Sequence, residues 1–338
     1  MERRGIIAVG NWIVDNVKFI ETYPRKGNLA TISRQEEGLG GCAHNVLADL
    51  AAMHSGIPLY AGGCIGADRF GQMCLDACDR FGIDRSNLKV LDGAATSYTD
   101  VMSETAGDGS RTFFHCRGAN AELSVDQVLA CESPARIFHL GYLLLLDALD
   151  QDDPEYGVAA ARALDGLLKQ GYETSVDVVS EEGDRYRRVV LPCLKYIDYL
   201  IINEVEAENC LGTPLRCEDQ PDLPAIKAAA SRLLDLGVRK KVVIHFPEGG
   251  VAADRDGDVC YAPSFTVDRS EIVSSVGAGD AFCAGALYAI HEGWPLREML
   301  EFASAGARFN LFSATSTGGA PELETILSFL KSVKNEKV

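Results

Sequence analysis

Between Arg136 and Phe246, short apolar runs alternate with stretches of helical length, and this alternation constrains the fold more than any other feature. Strands are expected around Arg136–Leu140, Thr174–Val179, Tyr199–Ile202 and Lys241–Phe246. Helices are expected around Glu155–Gln170, Asp184–Lys195, Glu204–Cys210 and Pro224–Leu236. Strands and helices in this order build a mainly parallel sheet covered on both faces. The chain is therefore read as α/β, with a central sheet and helices on either side. Earlier in the sequence, residues 5–10 read as a first strand and Pro58–Cys64 as another, followed by a helix from about Asp68 to Phe81 that Gly82 closes. Later, a hairpin is expected from Gly250 to Tyr261, then three helices to the end, with Lys331–Val338 a fraying terminus.

Two stretches break the pattern. About 16–37 and about 96–118 carry strand signals without helices, the second folded at the turn Ala106-Gly107-Asp108-Gly109. They are expected to pair into a small separate sheet, attached to the core as a lid. No repeat or low-complexity segment divides the rest, so 1–338 is read as one domain carrying two insertions.

Composition narrows the function. Asp and Glu number 49 against 32 Lys and Arg, a formal charge of −17, which opposes binding to nucleic acid or an anionic membrane. The basic N-terminus precedes only a short apolar run ending in Gly10-Asn11, and no apolar run reaches about 18 residues, so neither a signal peptide nor a membrane span is expected. Among the 11 cysteines the tightest spacings are Cys74-x3-Cys78 and Cys210-x6-Cys217, with no Cys-x2-Cys pair, and no two histidines have metal-ligand spacing. Buried free thiols are expected, and with no export signal a cytoplasmic location.

Two glycine-rich turns open helices. Ser274-Ser275-Val276-Gly277-Ala278-Gly279-Asp280 follows a β-like Ile272-Val273 and leads into Ala281–Ile290. Gly38-Leu39-Gly40-Gly41-Cys42-Ala43-His44-Asn45 leads into Val46–Met53. The first N–H groups of a helix lack internal partners and favour a phosphate. A carboxylate at the same place, Asp280, is suited to take a proton from a hydroxyl that attacks that phosphate. A tight turn with an Asp placed for dipole reasons would give the same local sequence.

Taken in order, Gly40-Gly41-x-x-x-Asn45, Asn203-x-x-Glu206 and Gly277-Ala278-Gly279-Asp280 resemble the signatures of the ribokinase-like, or PfkB, family of carbohydrate kinases, from Val9 to Pro321. The resemblance implies a ribokinase-like fold and transfer of the γ-phosphoryl of ATP to a primary hydroxyl of a small sugar or sugar acid. It implies Asp280 as catalytic base, Gly277, Ala278 and Gly279 as an anion hole, and Asp15, Gly40, Gly41 and Asn45 as sugar contacts. Arg117, at the exit of the second insertion, is a further candidate for substrate contact, and His44 is another. Asn203 and Glu206 match residues on the phosphate side, Glu206 organising Mg²⁺ through water; helix capping would place both equally well. The nucleotide side falls at His245, Gly250 and Ser304.

Departures from the family pattern are as informative. Ser274-Ser275 stands where an Asp-Thr is common, which leaves activation by a monovalent cation open. His245-Phe246-Pro247 replaces the usual Thr-x-Gly, and Pro247 has no N–H to donate. A nucleoside kinase of the same fold, with Trp12 as a slot for the base, and a catalytically silent sugar or nucleotide sensor are the alternatives. The exposed edge of a lid sheet invites pairing of two copies.

Overall fold

The computed structural model of the chain describes residues 3–106, 110–181 and 183–336. Its first half supplies strands β1 (Ile6–Gly10), β2 (Ile13–Ile20), β3 (Ile32–Gly40), β4 (Leu59–Gly66), β5 (Asp84–Leu91), β6 (Tyr98–Glu104), β7 (Arg111–Cys116) and β8 (Ile137–Leu143). After the two-residue strands β9 (Asp152–Asp153) and β10 (Gly157–Val158) come β11 (Glu173–Val178) and β12 (Tyr199–Asn203). A second such pair, β13 (Arg216–Cys217) and β14 (Gln220–Pro221), precedes β15 (Lys241–Phe246), β16 (Gly249–Asp254) and β17 (Val259–Pro263). The helices are α1 (Cys42–Ala52), α2 (Arg69–Phe81), α3 (Val125–Leu129), α4 (Ala159–Lys169) and α5 (Leu191–Cys193). They continue with α6 (Glu204–Leu211), α7 (Leu223–Asp235), α8 (Ala278–His291), α9 (Leu296–Asn310) and α10 (Leu323–Glu336).

Among the described residues, nine strands form the main sheet in the order β17-β16-β15-β12-β11-β8-β1-β4-β5. All neighbours run parallel from β15 to β5, and only β16 and β17 are antiparallel. The central strands β1, β8, β11 and β12 are buried nearly throughout, as a sheet covered on both faces requires. One face packs the large core that includes Phe138, Leu140, Val176 and Leu200; the other packs α1, α8 and α9. Helix α8 is buried from Asp280 to His291, with small residues such as Cys283, Ala284, Gly285 and Ala286 among the large ones. A Cβ on Gly285 would sit 2.8 Å from Ala303 Cα of α9, so the close approach of the two helices depends on that glycine.

The two insertions meet in a separate four-stranded sheet of order β3-β2-β6-β7. Its inner pair, β2 and β6, is parallel, joining segments distant in sequence, while β3 and β7 are antiparallel edges. Of the turn expected between β6 and β7, Gly107-Asp108-Gly109 lies outside the described residues, as do Val338 and Lys337 of the terminus.

Three expectations require correction. Ile272-Val273 is not a strand: no strand lies beside it, and the N–H groups of Val273 and Ser274 donate to the Leu311 carbonyl. The helix expected at Asp184–Lys195 is a π turn over Tyr186–Val190, the short α5 and a 3-10 turn over Leu194–Tyr196. Pro192 has no N–H to continue an α-helical ladder there. Strand β5 went unread because Asp84, Arg85 and Lys89 face solvent from the sheet edge and leave no apolar run. By contrast α2 begins and ends as read, with Asp68 accepting from the Gly71 N–H at 2.8 Å and Gly82 left-handed at φ 65°.

Candidate active site

The carboxyl ends of β1, β8, β11, β12 and β15 open on one side of the sheet, where ligands of open α/β folds collect. Helix α8 starts there. Its cap residue Gly277 has φ 79°, a left-handed conformation at which a Cβ would overlap the Ser316 carbonyl. The Ala278 N–H is taken by the Ser275 carbonyl at 3.2 Å, whereas among the described residues no acceptor takes the N–H of Gly277, Gly279 or Asp280. The expected anion hole is thus open at two of its three residues, and Asp280 itself adds a donor.

Asp280, only 6% exposed, is held by both oxygens. Asn45 Nδ2 donates to Oδ2 at 2.7 Å and Tyr142 Oη donates to Oδ1 at 2.8 Å. Burial raises its pKa, and these two donors work against the rise by favouring the carboxylate. Asn45 is fixed in turn: its Oδ1 accepts from Ser316 Oγ at 3.1 Å and faces His44 Nδ1 at 3.0 Å. Asn45 therefore does not cap α1; the cap is Gly41, at φ 89°, where a Cβ would overlap the Asn11 carbonyl.

Asp15 projects from β2 opposite Gly38 of β3 and Thr99 of β6. A Cβ on Gly40 would lie 2.5 Å from Asp15 Oδ2, so that glycine makes room for the carboxylate. The pKa of Asp15 is raised to about 6, chiefly by burial, with a hydrogen bond from Thr99 opposing and the charge of Asp280 adding to the rise. Sequence reasoning thus brings Asp15, Gly40, Gly41, Asn45 and Asp280 to one place. Arg117 is engaged elsewhere: its Nη1 donates to the Leu144 carbonyl at 3.2 Å and pairs with Asp147 at 3.3 Å. His44 is buried, its pKa pushed down to about 4 by desolvation, with its ring edge-on to Trp12.

Trp12 overturns a further reading, the slot for a base. It is 1% exposed, with Nε1 donating to the Gly62 carbonyl at 2.9 Å, and it packs beside Leu47 and Ile65. A ring buried in this way offers no face to a base.

Beside Asp280, a cavity of about 270 Å³ is lined by Tyr142, Asp177, Ser180, Asn203, Glu206, Gly277, Gly279 and Asp280 among others. Asn203 and Glu206 form a reciprocal capping box on α6, each side chain accepting the other's N–H at 2.9 Å. The capping role is real and leaves chemistry over. Glu206 Oε1 accepts from Ser180 Oγ at 2.7 Å and from Asn203 Nδ2 at 2.8 Å. Burial raises the pKa of both Glu206 and Asp177, and each adds the charge of Asp280 to the rise. Three buried acids around one cavity are a set of hard oxygen donors that fits a divalent cation such as Mg²⁺.

A larger cavity of about 770 Å³ adjoins it, lined by His245, Phe246, Pro247, Phe282, Ser304, Arg308 and Leu311 among others. His245 stacks on Phe282 at 4.9 Å between ring centres. Ser304 Oγ and Arg308 Nε are buried without a partner among the described residues. Gly250 is not in the lining; it pairs with His245 in the sheet, and a Cβ there would press on Leu300 and Phe282. Ser274 Oγ accepts the Val276 N–H at 3.1 Å, which shapes the turn before α8.

Reading the sequence missed Tyr142, Asp177, Ser180, Ser316 and Arg308. Tyr142 and Asp177 lie in the last two residues of parallel strands, and that position is the signal that would have found them.

The sequence profile of the pfkB family carbohydrate kinases matches residues 4–323. A 5-dehydro-2-deoxygluconokinase of Clostridium perfringens is 27% identical over 311 residues, which cover 88% of this chain and 85% of its own. A ribokinase of Schizosaccharomyces pombe is 25% identical over 331 residues, with 95% of each chain covered. The solved structure of Arabidopsis thaliana ribokinase complexed with ribose and ATP superposes with a TM-score of 0.81 at 22% identity, over 97% of this chain and 99% of that one.

Proposed function

The chain belongs to the pfkB family of carbohydrate kinases, phosphotransferases that act on sugar hydroxyls, and from that premise we propose that it phosphorylates a primary hydroxyl of a small neutral sugar with ATP, using Asp280 as base. What supports this most is the setting of Asp280: a buried carboxylate in the first turn of α8, gripped by Asn45 and Tyr142, beside the free N–H groups of Gly277 and Gly279. Asp280 takes the proton of the sugar hydroxyl as its oxygen attacks the γ-phosphorus, and the bond from that phosphorus to the β-phosphate oxygen breaks. The N–H groups face the charge that develops on the transferred group. Mg²⁺, held by Glu206 through water, would neutralise phosphate charge. The nucleotide occupies the larger cavity, with Ser304 Oγ and Arg308 as its unused polar groups.

The electrostatics of the sugar side favours a neutral substrate. The charge of Asp280 adds to the rise in the pKa of Asp15, so two carboxylates act on the same space. Lys18 is paired with Asp100, and Arg117 with Asp147. A sugar acid would bring a further anion to Asp15 and Asp280. Mg²⁺-dependent ADP release, measured over ketoses, aldoses, sugar acids and nucleosides, tests this directly. Turnover on a neutral sugar is expected; turnover confined to an acid such as 5-dehydro-2-deoxygluconate would refute the neutral reading while keeping the kinase, and ATP binding without turnover on any substrate would favour the sensor.

Asp15 accepts sugar hydroxyl protons only as a carboxylate. Because its pKa is raised to about 6, it gains a proton as pH falls through that value, and the KM for sugar is expected to rise below it while the KM for ATP stays flat. Asp15→Asn should raise the sugar KM by about 10–100-fold at pH 7.5 and abolish that pH dependence. The four-stranded sheet that carries Asp15 serves as the lid over the sugar, excluding water. Exposed Ile32 on β3 and Phe113 and Phe114 on β7 suit association of two copies through it.

A further inference from the structure

Beside Asp280 lies a convergence of ligand atoms of which only those of Asp177 also face the smaller cavity. Cys42 Sγ is 3.1 Å from His139 Nε2 and 3.8 Å from Asp177 Oδ2, and the ligand atoms of these three residues all lie within 4.8 Å of one another. Cys283 Sγ approaches the same Nε2 to 3.9 Å. Four elements meet here: α1 supplies Cys42, β8 His139, β11 Asp177 and α8 Cys283. We propose that Cys42, Cys283, His139 and Asp177 form a tetrahedral site for a zinc-class divalent cation.

Geometry supports this first. Zinc bonds of about 2.0–2.3 Å put neighbouring tetrahedral ligands roughly 3.3–3.8 Å apart, and the sulfur-to-nitrogen and sulfur-to-oxygen separations fall close to that range. Cys42, His139 and Asp177 already converge, and closing the site asks mainly for Cys283 Sγ to move toward them from 3.9 Å off His139 Nε2. Second, His139 has a partner that suits the tautomer a metal needs. Its Nδ1 lies 3.0 Å from Ser175 Oγ, and an N–H donated there leaves the Nε2 lone pair facing the two sulfurs. Third, Cys42 is the first residue of α1, where the helix dipole favours a thiolate. Without a cation, burial and the charges of Asp177 and Asp280 keep both thiols protonated. On metal binding each thiol releases its proton to solvent, and the ion meets two thiolates, one carboxylate and a neutral imidazole. An S–H bond to His139 alone would account for Cys42, but not for a carboxylate within 3.8 Å of the same sulfur and a second sulfur within 3.9 Å of the same ring nitrogen. Asp177 also lines the smaller cavity, which gives an ion its way in.

The test is metal binding itself, on the full chain stripped with a chelator and then exposed to zinc in a large excess of Mg²⁺, which occupies oxygen-only sites. One zinc per chain is expected, and cobalt in its place should show thiolate-to-metal charge-transfer absorption. Cys42→Ser and Cys283→Ser should each weaken that absorption. Ser175→Ala, which leaves all four ligands in place and so reports even where a cysteine variant fails to fold, should lower zinc affinity about 10–100-fold. Absence of the thiolate band, or zinc retention unchanged in Ser175→Ala and in the folded cysteine variants, would overturn the site.

Discussion

Asp280→Asn should lower kcat by about 10²–10⁴-fold, with both KM values changed only a few-fold. The amide keeps the shape of the carboxylate, and its oxygen can still accept from Asn45. The Tyr142 hydroxyl, which donates now, can rotate and accept from the new N–H₂, so the fold survives while the base is gone. Asp280→Ala should lose as much activity and also stability, because the buried amide of Asn45 would be left without its partner, at about 1–3 kcal/mol. A second signature follows from charge. Asp280 helps to raise the pKa of Asp15, so its neutral replacement should move the sugar-KM profile to lower pH. Single-turnover rates and a pH series of KM check both effects. Retained turnover in Asp280→Asn would remove Asp280 from the role of base.

Gly277→Ala carries the second large effect. At φ 79° a Cβ costs about 1–2 kcal/mol through the left-handed backbone alone, and here it would also overlap the Ser316 carbonyl. Ser316 cannot yield quietly, since its Oγ bonds both the Leu39 carbonyl and Asn45 Oδ1, and Asn45 holds Asp280. Displacement therefore travels to the base as well as to the free N–H groups. A drop in kcat of about 10²–10³-fold is expected, with Tm lower by about 2–5 °C. Gly257→Ala is the control: its φ is 96°, but nothing stands within 4 Å of the new Cβ, so it should lose stability and keep its rate. Equal kinetics in the two variants would show that the Gly277 turn does not position the chemistry.

What the sequence made legible was whatever is written locally. The ends of α2 follow from Asp68 and Gly82, the three-residue spacing of Asn203 and Glu206 gives their reciprocal bonds, and the glycines of two helix starts mark where side chains would collide. Pairings across the fold were not legible. Asn45 and Asp280 lie 235 residues apart, and nothing in either segment specifies that one amide grips the other's carboxylate. Cys42, His139, Asp177 and Cys283 likewise have no common spacing, so a rule built on neighbouring cysteines passes over them. Trp12 misled for the opposite reason: its place beside a strand end was right, but whether the ring faces a ligand or the core is decided by Gly62 and Leu47, which sequence does not bring near. Gly250 was placed on the nucleotide side, whereas the space its missing side chain leaves is filled by Leu300 and Phe282.

The joint between the two sheets has mechanical meaning. Four crossings join the second sheet to the core: residues 92–97, Arg117, and two very short straps lying side by side, Asn11-Trp12 between β1 and β2 and Gly41 between β3 and α1. A tilt about these straps swings each residue in proportion to its distance from them. At roughly 3.3 Å per residue, Asp15 stands about 10 Å along β2 from Trp12 and Ile20 about 26 Å. The far rim thus sweeps more than twice the arc of the Asp15 carboxylate. If the sheet serves as the proposed lid, such a lever would widen its mouth while the carboxylate beside Gly40 moved little.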